Sequence, residues 1–153
     1  MIIEAPASKF RKSNLKIYTI GLILVAVWCA YDGYFNDKWI KEHTDANGKA
    51  QTYLVVNRSA PKYLVGAAAI LGIYLFAISS KKVTADEKEL VIDDKKRIAY
   101  DAIEKVDKTY FAAKGYFVVT HKDSSGKEAE IKLSDRKYDN LEAVLDKLVE
   151  KMS

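Results

Sequence analysis

Two stretches without a charged residue, 17–31 and 63–80, interrupt a chain in which 30% of residues are Asp, Glu, Lys or Arg. A helix rising ~1.5 Å per residue needs about 20 apolar residues to cross a ~30 Å hydrocarbon layer. The second stretch has eighteen, with Lys62 before it and Lys81 and Lys82 after it; the first has fifteen, between Lys16 and Asp32. Lys16 can snorkel, and Tyr31, Tyr34 and Phe35 suit the headgroup layer, which brings the first stretch to spanning length. The competing reading is a pair of buried core helices. Residues 20–30 (IGLILVAVWCA) and 64–78 (LVGAAAILGIYLFAI) show no polar face, and so small a domain cannot bury two such helices. The mean hydropathy of −0.17 averages these spans with a highly charged C-terminal half.

The first stretch also invites comparison with a signal peptide, since Lys9, Arg11 and Lys12 precede it. Cleavage after Ala30 would place bulky Trp28 at the −3 position, which disfavours that reading, and Trp28 likewise speaks against Cys29 as a lipid acceptor. The sequence therefore predicts an integral membrane protein, with a bacterial inner membrane or an organelle membrane as its place. Its expected divisions are a basic arm at 1–14, membrane helices at 15–35 and 63–80, an outer loop at 36–62 and a domain at 81–153. The basic arm and the Lys81–Lys82 pair place both termini in the cytoplasm by the positive-inside rule. Ala26 and Ala30 on one helix and Ala68 and Gly72 on the other are candidate small-residue packing positions. No ionisable side chain lies inside either stretch, which argues against an ion pathway or proton relay.

Residues 1–62 carry nine Lys or Arg against five acids, whereas 63–153 carry sixteen of each, so the net charge of +4 belongs to the membrane flanks. A basic stripe for nucleic acid is therefore not expected. One cysteine excludes an intramolecular disulfide and a cysteine-based zinc site. In the loop, Asn36 or Asp37 can cap a short helix, Asn47-Gly48 reads as a turn, and 53–56 reads as a strand or a descent to the bilayer. Pro61 suits the first turn of the second span. His43 lacks metal-ligand neighbours, and the sequon at Asn57-Arg58-Ser59 is a common chance triplet.

Beyond Lys82 the period changes. Short β-prone runs at 83–85, 89–92 and 98–100 are followed by 103–111 and 115–121, then by a turn at 123–126. Ala129, Ile131 and Leu133 alternate with Glu128, Glu130 and Lys132, as in a sheet with one wet face. Leu141, Val144, Leu145, Leu148, Val149 and Met152 then form a helical stripe, with Asp139 and Glu142 as a capping box. These elements predict an α+β domain in which a bent antiparallel sheet or barrel is plugged by a C-terminal amphipathic helix.

The hairpin KKVTADEKELVIDD, the segment RIAYDAIEKV with Ile98, Tyr100, Ile103 and Val106, the hairpin GYFVVTHKDSSGKEAEIKL and the helix NLEAVLDKLVEKM resemble the pleckstrin-homology-like domains of small bacterial membrane proteins. That resemblance covers about half the chain and implies a binding or scaffolding module. It also draws attention to Lys95, Lys96 and Arg97 in a strand-connecting turn, with Lys81 and Lys82, as candidate lipid or partner contacts. Asp93 and Asp94 would partly cancel their field.

No phosphate loop, HExxH, CxxC or nucleophile elbow occurs. His121 is read as a solvent-facing strand residue, and Glu128 with Glu130 as a solvated face. No catalytic residue, cofactor or metal is expected. The leading expectation is a non-catalytic, membrane-anchored scaffold or accessory subunit, with membrane lipids and other membrane-protein subunits as partners. A lipid-headgroup or envelope sensor at the inner leaflet is the alternative, and an enzyme without a recognisable motif is a weaker one.

Overall fold

The computed structural model describes residues 1–153, which form two compact units: Met1–Lys12 with Ala77–Ser153, and Ser13–Phe76. The elements in order are strand β1 (Ile3–Pro6), helix α1 (Lys9–Tyr34), helix α2 (Asp37–Glu42), helix α3 (Thr52–Ser79), strands β2 (Lys82–Ala85), β3 (Glu89–Ile92) and β4 (Lys96–Ala99), a 3₁₀ turn (Tyr100–Ala102), strand β5 (Ile103–Asp107), helix α4 (Phe111–Lys114), strands β6 (Tyr116–Lys122) and β7 (Glu128–Ser134), and helix α5 (Leu141–Met152).

The helical unit contains most of α1 and α3. At ~1.5 Å per residue, their 26 and 28 residues extend about 39 and 42 Å, enough to cross a membrane. Within their most apolar windows only 6% and 11% of residues are buried. The least exposed residues recur in steps of three and four: Thr19, Leu22, Ala26, Ala30 and Gly33 on α1, and Leu54, Asn57, Pro61, Leu64, Ala68 and Leu71 on α3. Such a repeat keeps one narrow seam facing a partner helix. Thr19 satisfies its hydroxyl by donating to the Leu15 carbonyl at 2.8 Å.

The second helix begins eleven residues before the expected 63. Residues 53–56 are helical rather than a strand, with Leu54 only 1% exposed. Pro61 lies inside α3 instead of in its first turn, leaving the Asn57 carbonyl without its helical donor. Asn36 does cap α2, accepting from the Trp39 N–H at 3.3 Å.

In the other unit, β1-β2-β3-β4 form one antiparallel sheet and β5-β6-β7 another. The expected barrel is absent. Between β4 and β5 the chain makes a 3₁₀ turn, and β5 pairs with β6 rather than with β4. One core joins both sheets to α5 through Ala5, Val83, Leu90, Phe117, Leu133 and Leu148.

The first strand was not anticipated. Residues 3–6, part of the expected basic arm, pair with β2 from Ile3↔Ala85 to Pro6↔Lys82. The sheet is thereby assembled from segments nearly eighty residues apart in sequence. Ala7 donates to the Lys81 carbonyl at 2.8 Å, and Ser8 to that of Lys137 at 2.9 Å. Asp139 also acts at long range: its carboxylate accepts from the Lys9 N–H at 2.9 Å and caps α1. The expected capping box on α5 is replaced, because the N-cap there is Asn140 in left-handed geometry with no side-chain cap bond.

Replacing Asp139 with alanine strips the first turn of α1 of an acceptor and lowers stability by about 1 kcal/mol, read from denaturant unfolding of this unit. Asp139→Asn retains most of the effect, since an amide oxygen still accepts.

The Met1 ammonium and Lys151 both bond Glu87, the latter at 2.9 Å. Together they depress the Glu87 carboxyl from 4.5 to about 2. A carboxyl held lower in the folded state stabilises fully above its unfolded value and loses that contribution as pH falls from about 4.5 to about 2. Melting temperatures of wild type and Glu87→Gln should therefore converge across that window. At neutral pH the gap is small and shrinks with salt, because the pair is exposed.

Candidate functional site

The sequence-selected cations sit around the β3–β4 turn. Asp93 and Asp94 occupy consecutive left-handed positions (φ 53° and 55°), a backbone twist that suits a tight hairpin and that Asp tolerates. The turn is fixed from outside: Asp93 N–H donates to the Lys82 carbonyl at 2.7 Å, and the buried Tyr138 hydroxyl donates to the Asp93 carboxylate at 2.8 Å. Burial, followed by that carboxylate, raises the Tyr138 phenol above its ordinary range. A cavity of about 200 Å³ opens here, lined by Ala77, Ser80, Lys81, Asp93, Asp94 and Lys95.

Three of the five candidate cations are already paired. Lys81 lies 3.6 Å from Asp93, Lys82 is 2.7 Å from Glu4, and Arg97 is 2.7 Å from Glu89. The Glu4 hydrogen bond also raises the Lys82 ammonium. Lys95 and Lys96 remain exposed without a carboxylate partner. Five cations and four carboxylates (Glu4, Glu89, Asp93 and Asp94) thus meet at the turn, an arrangement suited to fixing β1 to β2 and one that largely offsets the positive charge.

Three of the four small packing candidates fall on the seam, Ala26 and Ala68 buried and Ala30 half-buried; Gly72 is half-buried beside it. A Cβ on Gly72 would meet nothing within 4 Å, so no neighbour requires glycine there. Close approach occurs elsewhere, where a Cβ on Gly33 would lie 3.0 Å from the backbone of Asn57. Arg58 donates through Nε to the Gly33 carbonyl at 2.9 Å, and the Tyr34 hydroxyl donates to the Arg58 carbonyl at 3.0 Å. Reciprocal bonds therefore clamp this end of the helix pair. Beside it, Trp28 Nε1 donates to Asp32 at 2.7 Å, and Trp39 stacks on His43 with centroids 3.9 Å apart.

No protein-family model, curated protein or solved structure matches this chain.

His121 departs from expectation. It is 2% exposed, on the same face of β6 as buried Phe117 and Val119, and neither ring nitrogen has a hydrogen-bond partner. Strand alternation from Phe117 carried this signal; the polar side chain obscured it. A buried polar group without partners opposes folding. His121→Leu is accordingly expected to stabilise the domain by about 1 kcal/mol, measured by denaturant midpoint. No group of three or more His, Cys, Asp or Glu side chains is placed to hold a metal ion.

Proposed function

We propose that this chain is a two-span membrane protein whose helical hairpin is inserted between the first two strands of a cytoplasmic pleckstrin-homology-like module, and that it serves as a non-catalytic scaffold or accessory subunit of a larger membrane assembly. The observation that carries this reading is the β1–β2 pairing. It holds residue 7 against residue 81, so the chain leaves and re-enters this unit at neighbouring points. If the intervening helices cross a bilayer, both termini lie on one side. The basic residues of 9–16 and the Lys81–Lys82 pair make that side the cytoplasm.

A four-stranded antiparallel sheet completed by β1, a three-stranded one and a C-terminal helix support the resemblance to pleckstrin-homology-like domains. The apolar faces of α1 and α3, exposed at Ile20, Leu24, Ile70, Ile73 and Phe76, support burial in lipid. The paired charges at the β3–β4 turn favour a structural role over headgroup capture there.

Gentle detergent extraction followed by native mass spectrometry tests the assignment. Co-purification with other membrane subunits at fixed stoichiometry is expected, and a lone particle would overturn it. For the topology, Asn47→Cys in a Cys29→Ser background should react with an impermeant maleimide in intact cells, and Ser125→Cys only after permeabilisation.

A further inference from the structure

We propose that the end of the three-stranded sheet beside α4 is a binding site for a phosphate monoester. A cavity of about 300 Å³ is lined by Lys114, Tyr116, Lys132, Ser134 and Arg136. No acid lines it. Lys132 Nζ sits 3.5 Å from the centre of the Tyr116 ring, Lys114 Nζ sits 4.7 Å from that of Tyr110, and the two tyrosines stack with centroids 5.6 Å apart. The lysines are therefore positioned by π faces, which orient a cation without neutralising it. Neither lysine nor Arg136 forms an ion pair, in contrast to Lys81, Lys82 and Arg97. The nearest acid in sequence, Asp135, lines a different cavity with Gly115.

The polar groups around the cavity are mostly donors. Two ammonium groups and a guanidinium accept nothing. The half-buried Ser134 hydroxyl already accepts the Arg136 N–H at 3.3 Å, leaving its own proton to give. Ser134 and Tyr116 face each other in register across β6 and β7, so rigid strands fix the floor. Three positive charges with these donors match a dianion with three acceptor oxygens. The volume exceeds that of a bare phosphate and leaves room for a small organic substituent. A soluble organic phosphate and a phospholipid headgroup both present this chemistry. Binding here does not require that the hairpin cross a bilayer, so its failure would leave the topology intact.

The test is isothermal titration of the full chain, in zwitterionic detergent at low salt, with glycerol 3-phosphate and separately with dihexanoyl phosphatidic acid. Saturable one-to-one binding is expected. Lys114→Ala, Lys132→Ala and Arg136→Ala should each weaken it about tenfold, and Lys132→Arg much less. These side chains are exposed, so melting temperatures should stay near wild type. The Lys95→Ala/Lys96→Ala double variant should bind normally. Tighter binding of the lipid would identify a headgroup as the source, and equal binding a soluble phosphate. Absence of saturation, or an equal loss in the Lys95→Ala/Lys96→Ala protein, would overturn the site.

Discussion

Ala5→Asp is expected to destabilise the β-rich unit severely. Ala5 is fully buried in the edge strand β1, against a core that includes Val83, Ala85 and the apolar face of α5. A carboxylate there has no cationic partner and no water, which costs about 3–5 kcal/mol. A domain of this size has roughly 5–15 kcal/mol in total, so the loss takes much of it. The damage should appear as a lowered denaturant midpoint and rapid proteolysis within 81–153, far from the substitution in sequence. Glu4 is one residue away but points to the opposite face of the pleat, and Glu4→Gln should change stability by less than about 0.5 kcal/mol. A fragment beginning at residue 81 should show the same fragility, because it lacks the strand that pairs with β2. An Ala5→Asp protein as stable as wild type would mean that β1 contributes nothing to the fold.

Gly115→Ala is expected to cost about 2–4 kcal/mol, the second large effect. Gly115 ends α4 at φ +68°, where an L-residue loses about 1–2 kcal/mol. A Cβ would also collide with the Asp135 carboxylate, which lies over the Gly115 Cα. The two costs separate experimentally. Adding Asp135→Ala to Gly115→Ala removes the collision and leaves only the backbone penalty, so the double variant should be the more stable one. If the second substitution recovers nothing, the collision is relieved by a simple rotation of Asp135. Denaturant unfolding of the single and the double variant decides between these outcomes.

Much of this fold is legible in the sequence because its signals are local. The strand runs near 83–85, 89–92 and 115–121 appear at nearly those places, and Asp123 and Gly126 make the expected turn, with Asp123 accepting from Ser125 and Lys127. The α5 stripe buries Leu141, Val144, Leu145 and Leu148 as its period requires. Strand β1 was invisible for a physical reason: four residues ending in proline carry no periodicity, and only β2 gives them a partner. Asp139 misled because its spacing to Glu142 fits a local cap, whereas the fold presents it to Lys9.

The candidate cations show the same division. Lys95, Lys96 and Arg97 stand out as a run, yet Arg97 is paired with Glu89 on β3, and the adjacent Lys81 and Lys82 with Asp93 and Glu4. Lys114, Lys132 and Arg136 are scattered over 23 positions and form no motif. They meet because β6 and β7 pair and α4 caps the end of β6.

The sequence by itself determined the two apolar helices, their lack of internal charge, and a C-terminal half made of strands and one amphipathic helix. Each follows from the composition or period of neighbouring residues, which need no partner to be read. Only the tertiary structure decided that β1 completes the sheet, that Asp139 caps α1, and which lysines remain unpaired. Those outcomes depend on hydrogen bonds and charges meeting across dozens of residues, and no local pattern encodes where the folded chain brings them together.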